Sequence, residues 1–282
     1  MDTLDAYLNQ IETLPAAPRA LSQLMNLLGE DDVHADSVVE LITYDPGLTA
    51  KVLQCCNSAT MGLAQRVHNL PQAVACVGFN EIYRIVTAVA LESTLAGAQP
   101  GYGIATGELW QHSVVTALAG RVLAQKLGTD ENLVFTAGLL HDLGKLILSE
   151  ALENAYGALM EETGPSGRSL LEAERLILGV EHAEIGGRIL ARWNFPEDLV
   201  GAVWHHHDPL QACPHEQLAA CVYMGDMVAH SLGYGRGHQA FAVRDRSEVF
   251  DILGITAPEI ESLILETAAT LEESVWLKAP AS

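Results

Sequence analysis

The sequence predicts an all-α protein of two packed helical lobes, on three observations. Apolar residues recur at a period near 3.6 along almost the whole chain, no segment sustains the alternation of a strand, and Gly and Pro crowd together at one place near the middle. The 282 residues, 49% hydrophobic and 18% charged, suffice for a sizeable buried core and are too apolar for a disordered chain.

In chain order, helical spacing runs over Ala20 to Leu28, Ala35 to Thr43, Pro46 to Asn57 and Glu81 to Leu95. Asp45-Pro46 is a helix start with a mechanism: the Asp side chain caps free N–H groups, and Pro suits a first position whose N–H has no partner. Between Ala96 and Thr106, Gly97, Pro100, Gly101 and Gly103 break the pattern. Helices follow near Gly107 to Leu127, Glu131 to Leu148, Ser169 to Leu178, His182 to Trp193, Pro196 to His207 and Glu216 to Leu232. Gly233 to Gly237 reads as a loop and about Pro258 to Leu277 as a last helix. The break divides the chain into lobes of roughly 1–100 and 104–282, packed together because the link between them is short.

Fifteen Lys and Arg against 36 Asp and Glu leave a net charge of −21. That field repels nucleic-acid phosphates and anionic membranes, which disfavours broad binding to either, while a local pocket for a small phosphorylated ligand stays open. The start, Met1-Asp2-Thr3-Leu4-Asp5, is acidic where a secretion signal is basic, and no apolar run is long enough to span a bilayer. Five cysteines without framework spacing read as buried or incidental thiols in a reducing compartment, so a cytoplasmic, bacterial setting is expected. Phosphate-cradling Gly-rich loops, Gly-x-Ser-x-Gly and aromatic stacking platforms are all missing from the sequence.

The chemistry lies in polar residues that occupy apolar positions. On the segment Glu131 to Leu148, the residues Val134, Gly138, His141, Asp142 and Lys145 share one helical stripe, and Gly138 would admit a neighbouring helix or a ligand. His112 shares a face with Val115, Thr116 and Ala119, and His182 with Ile185, Gly186, Ile189 and Trp193. His206 and His207 follow Leu199, Val200 and Val203, while His205 projects with Asp198 and Ala202 toward water. Asp226 sits among Ala219, Val222 and Ala229. Any one buried His is ordinarily a hydrogen-bonded core residue. A buried carboxylate, by contrast, needs a cation or a metal. Five imidazoles and two carboxylates facing inward therefore fit one shared metal site, with a purely structural polar network as the alternative. Mixed N and O donors suit Fe, Mn, Ni, Zn or Mg. Lys145 reads equally as a phosphate clamp or as the ion-pair partner of a nearby carboxylate. His230, one turn past Asp226, is either its partner or exposed, and His34, His68, His215 and His238 read as surface residues.

Gly138-Leu139-Leu140-His141-Asp142-Leu143-Gly144-Lys145 resembles the signature of the HD superfamily of metal-dependent phosphohydrolases. The ordered series His112, His141-Asp142, His182, His206-His207, Asp226 is similar to that of its HD-GYP relatives. Leu14-Pro15-x-x-Pro18, Tyr44-Asp45-Pro46-Gly47-Leu48-Thr49-Ala50-Lys51-Val52-Leu53 and Asn57-Ser58-Ala59 resemble the narrower HDOD group. So do Leu109-Trp110-Gln111-His112-Ser113, Glu181-His182-Ala183-Glu184-Ile185-Gly186 and Trp193-Asn194-Phe195-Pro196, and the likeness covers about residues 12 to 232.

The resemblance implies an HD-type helical bundle in the second lobe holding one or two divalent metal ions. His112, His141, Asp142 and Asp226 would hold the first ion and His182, His206 and His207 the second, with Asp142 shared. Lys145 would face a substrate phosphate in a metal-assisted hydrolysis. The family is a signalling and output module that works through a protein partner, often without turnover. Asp208-Pro209-Leu210 follows His207, so the Gly-Tyr-Pro element of cyclic-di-GMP phosphodiesterases is missing. The expectation is a regulatory module with a retained metal site, and the alternative a phosphohydrolase acting on a nucleotide or other small phosphoester.

Overall fold

The structure is a computed structural model that describes residues 24, 38–39, 42–43, 45–58, 61–164, 167–235 and 247–273. Its first half contains α1 (Pro46–Cys56), α2 (Leu70–Val77) and α3 (Phe79–Leu95). The second half begins with α4 (Glu108–Leu127), α5 (Glu131–Leu140), α6 (Lys145–Glu153), α7 (Tyr156–Thr163) and α8 (Leu170–Leu178). It continues through α9 (His182–Arg192), α10 (Glu197–Trp204), α11 (Glu216–Ser231), α12 (Ser247–Leu253) and α13 (Ala257–Glu273). Among the described residues there is no strand beyond one isolated bridge, Gln99 to Ile104, and no helix long and apolar enough to cross a membrane.

Local chemistry sets the helix starts. Asp45 accepts from the Leu48 amide at 3.0 Å with Pro46 in the first turn, as the sequence predicts. Asp130 caps α5 through the amides of Asn132 and Leu133, and Ser169 with Glu172 forms a reciprocal capping box on α8. Each such cap is worth about 1 kcal/mol.

The centre of the second half is α4. Fourteen of its twenty residues are buried, so it is apolar nearly all round and must be enclosed, and α5, α11 and α13 pack about it. Gly138 of α5 admits a helix, not a ligand: an added Cβ would sit 2.6 Å from the Ala117 Cα of α4. The halves join through α3, which packs on α1 and α2 and also reaches α4 and α5. Tyr83 and Thr136 share a hydrogen bond of 2.8 Å across that joint, and Arg84 reaches Glu131 at 3.5 Å. Apolar residues of both halves form one continuous core.

Several boundaries differ from the sequence reading. The break at 96–106 is not an exposed link. It forms a 3₁₀ turn over Pro100–Tyr102 that packs on α6, with Tyr102 fully buried and the Gly101 amide donating to Ser149 Oγ at 3.1 Å. The single helix expected over Glu131 to Leu148 is two, α5 and α6, separated by a turn over 141–144 closed by short-range bonds such as Leu143 N–H to Leu140 O. α10 ends at Trp204, which places His206 and His207 in the turn beyond it. Ala202 is buried and His205 half-buried, so the two do not share a solvent face. Cys56 and Cys221 are buried and Cys55 is half-buried, while Cys76 and Cys213 are exposed. All of the helix expected over Ala20 to Leu28 except Leu24, which is helical and buried, most of the one over Ala35 to Thr43, the Leu14-Pro15-x-x-Pro18 motif, residues 236–237 and the end of the last helix lie outside the described residues.

Candidate metal centre

Every side chain singled out by its polar character on an apolar face arrives at one place. His112 comes from the middle of α4, Asp226 from α11, and His182 is the first residue of α9. His141 and Asp142 come from the α5–α6 turn, Lys145 from the first position of α6, and His206 and His207 from the turn after α10. The α5–α6 turn is pressed against the start of α9. A side chain at Gly144 would fall inside contact distance of the His182 carbonyl, so only glycine lets His141-Asp142 and His182 come this close. None of the seven donors is more than 7% exposed.

The imidazoles are oriented from behind. Nδ1 of His112 donates to the Tyr234 carbonyl at 3.0 Å, that of His141 to Gly138 at 2.8 Å and that of His206 to Val203 at 2.7 Å. A carbonyl accepts only, so Nδ1 carries the proton in each ring and the inward Nε2 presents a lone pair. His112 Nε2 then faces His141 Nε2 at 3.2 Å, and His182 Nε2 faces His207 Nε2 at 3.0 Å. His112 Nε2 is also 3.1 Å from Asp226 Oδ1, and His182 Nε2 is 3.2 Å from Asp142 Oδ1. His206 Nε2, Asp142 Oδ1 and Asp226 Oδ1 are buried with no hydrogen-bond partner.

Converging lone pairs and orphaned acceptors are what a bound cation would satisfy, and the spacing suits one. Ligands bound at about 2.1 Å on adjacent positions of an octahedron are themselves about 3.0 Å apart. The donor chemistry, nitrogen and oxygen without thiolate, fits a divalent ion. His182, His206 and His207 form one group able to hold an ion, and His112, His141 and Asp142 another.

The electrostatics are those of a buried charge cluster. Burial opposes ionisation of Asp142, but the neighbouring His141 ring and the Lys145 ammonium outweigh it and hold the carboxyl well below the usual range. Burial likewise opposes ionisation of Asp226, and His230 and His112 overcome it. Burial pushes His112 down, and burial with neighbouring imidazoles pushes His206 and His207 well down, which keeps them neutral as ligation requires. His182 moves the other way: against burial, Glu174 and Asp142 raise it to about 9. Lys145 Nζ lies 2.6 Å from Asp142 Oδ2, an ion pair in which both partners are buried.

Glu174 is the residue the His and Asp reading passes over. It is fully buried, accepts from the Tyr102 hydroxyl at 2.6 Å and the His182 amide at 3.0 Å, and holds His182 Nδ1 at 2.9 Å. Its signal is in the sequence, since Leu170, Glu174 and Leu178 stand at successive fours on one apolar face. His230 is the partner of Asp226, with Nε2 3.3 Å from Oδ1 and 14% of its side chain exposed. His68 is exposed and His215 half-buried, while His34 and His238 lie outside the described residues.

A cleft of about 370 Å³ opens beside His207, the most exposed of the seven donors. Its lining includes Trp204, Tyr223 and Arg175, and it carries four carboxylates, Glu172, Glu181, Glu184 and Asp208. The acidic balance of the whole chain thus persists at the approach to the centre.

The family model of the HDOD domain matches residues 14–209. A curated protein of Treponema pallidum, uncharacterised, is 25% identical over 270 residues, 94% of this chain and 50% of its own length. The chain spans half or less of the curated relatives it first matches. Among solved structures, a candidate phosphohydrolase of Shewanella amazonensis superposes with a TM-score of 0.73 at 24% identity, covering 97% of both chains. A candidate signal transduction protein of Marinobacter aquaeolei superposes with a TM-score of 0.77 at 21% identity, covering 96% of this chain and 61% of that one. At these identities the likeness is one of fold.

Proposed function

The chain belongs to the HDOD family, and from that premise we propose that it is a signal-transduction module whose metal centre is a built-in support or sensor. In this reading His112, His141, Asp142 and Asp226 hold one divalent ion, His182, His206 and His207 hold a second, and Asp142 is shared. The lobe before residue 100 or so and the metal-holding lobe after it act together on a signalling protein partner in the cytoplasm. The observation that carries the reading is enclosure: seven donors converge, three of the imidazoles held by Nδ1–H bonds to backbone carbonyls, yet none is more than 7% exposed. Such a centre is well made for holding an ion and poorly made for admitting a polyanion, the more so with four carboxylates beside His207.

The second reading, a phosphohydrolase acting on a nucleotide or other small phosphoester, is favoured by Lys145. Two bound metal ions would supply Lewis acidity and a water of lowered pKa. Lys145, now against Asp142 at 2.6 Å, would turn its ammonium to the transferring phosphoryl group. The cleft at His207 would be the route in.

Metal content by plasma mass spectrometry, for the wild type beside Asp142→Ala, tests the centre. One or two equivalents of Fe, Mn, Ni or Zn, lost in the variant, is the expected result. No metal above background after reconstitution would sink both readings of the site. A phosphoester screen with Lys145→Met then separates them, since turnover lost in the variant while the metal stays would favour the hydrolase.

A further inference from the structure

We infer that His230 is a fifth donor to the ion at His112, His141, Asp142 and Asp226, and that it tunes this position to a six-coordinate cation such as Mn2+ or Fe2+ rather than to Zn2+. The inference rests on the metal reading above and goes past it. His230 stands one turn after Asp226 on α11, with its Nε2 3.3 Å from Asp226 Oδ1. The same oxygen is 3.1 Å from His112 Nε2, and the three donors lie within 4.8 Å of one another. Asp226 Oδ1 is nonetheless buried and unsatisfied, so two nitrogens crowd it without completing a regular hydrogen bond. The His112 and His230 rings are 5.1 Å apart and tilted by 54°, so they do not stack face to face.

The consequence follows from coordination number. Structural zinc is almost always four-coordinate, and on intrinsic affinity it outcompetes Mn2+ and Fe2+ at most N and O sites. Four donors would suit it. A fifth from a rigid helix gives the advantage to ions that accept six ligands, and it leaves a single position free.

The test uses the full chain stripped with chelator and titrated separately with Mn2+, Zn2+ and Co2+. Two variants are compared: His230→Ala, and His230→Gln, whose amide can still donate to Asp226 but is a poor ligand. In both, one Mn2+ should bind about tenfold or more weakly, with the second ion and Zn2+ nearly unaffected. The visible absorption of the Co2+ form should intensify as one ion drops to lower coordination. Wild-type behaviour in His230→Gln, or an unchanged Co2+ spectrum in both variants, would reduce His230 to a hydrogen-bond partner of Asp226 while leaving the metal reading intact. A wild-type chain that takes up no ion overturns both.

Discussion

Replacing Glu174 with Gln removes a charge from behind His182 while keeping the shape of the side chain. The carboxylate serves three donors, the Tyr102 hydroxyl at 2.6 Å, the His182 amide at 3.0 Å and His182 Nδ1 at 2.9 Å. An amide can satisfy the same neighbours, with its oxygen toward His182 and its NH2 toward a Tyr102 hydroxyl rotated to accept. The fold should therefore survive with a stability loss of about 1 kcal/mol. Ligation should not fare so well. The carboxylate raises the basicity of His182, and loss of such a partner typically weakens metal affinity by about 10–100-fold, or roughly 1.4–2.7 kcal/mol. Competition with a chromophoric chelator reads that change, and urea unfolding in excess chelator reads the stability. Weakening should be confined to one ion, the one at His182, His206 and His207. Metal affinity within about twofold of wild type, or loss of the His112 ion instead, would refute the idea that Glu174 acts through His182.

Three further outcomes are expected. In excess chelator, stability should peak near pH 6.5 and fall on both sides. On the alkaline side His182 contributes stability that is complete below its unfolded pKa and is lost as pH rises through about 9. On the acid side His112, His206 and His207, held down by burial, lose stability as pH falls below their unfolded value, so denaturant midpoints rising steadily to pH 9 would contradict this. Gly138→Ala should destabilise by about 1–3 kcal/mol through overpacking, because its Cβ would meet the Ala117 Cα at 2.6 Å, and a midpoint at or above wild type would show that α4 and α5 can part freely. A thiol reagent at pH 8 should label Cys76 and Cys213 first, since burial lifts Cys55 to about 11 and Cys56 and Cys221 to about 12, and mass spectrometry of the labelled peptides checks the order.

What the sequence makes legible here follows from the range over which each signal acts. A cap is local, so Asp45-Pro46 marks the start of α1 without knowledge of anything else. An ionisable residue on an apolar face is nearly local, because the face must be buried somewhere. That argument alone gathers His112, His141, Asp142, His182, His206, His207 and Asp226, and applied to Glu it would have gathered Glu174. The turn at 141–144 is different. His141 and Gly144 both keep right-handed helical angles, φ −54° and −62°, so neither end of the turn departs from helical backbone. The break is imposed by α9, whose first residue abuts Gly144. Tyr102 is hidden for the same reason. Its Gly- and Pro-rich surroundings read as an exposed link, and only packing on α6 buries it and carries it to Glu174. The helices α2, α7 and α12, of seven or eight residues, are too short for a period to declare itself.

The same distinction bears on what the centre is for. The donors are fixed by short-range features, helix faces and backbone carbonyls, whereas their enclosure is fixed by long-range ones: the α9 contact at Gly144, the Tyr234 carbonyl on His112, and the Tyr102–Glu174 link. Ion capacity and access to the ion are thus encoded in different residues and can change separately. Opening the approach at His207 would leave the Nε2 cluster whole, and closing it further would leave metal content unaltered. On the metal reading, a chain that buries all seven donors would hold its ion while restricting the traffic to it, which suits a centre that reports or stabilises better than one that must admit and release a substrate at every turn.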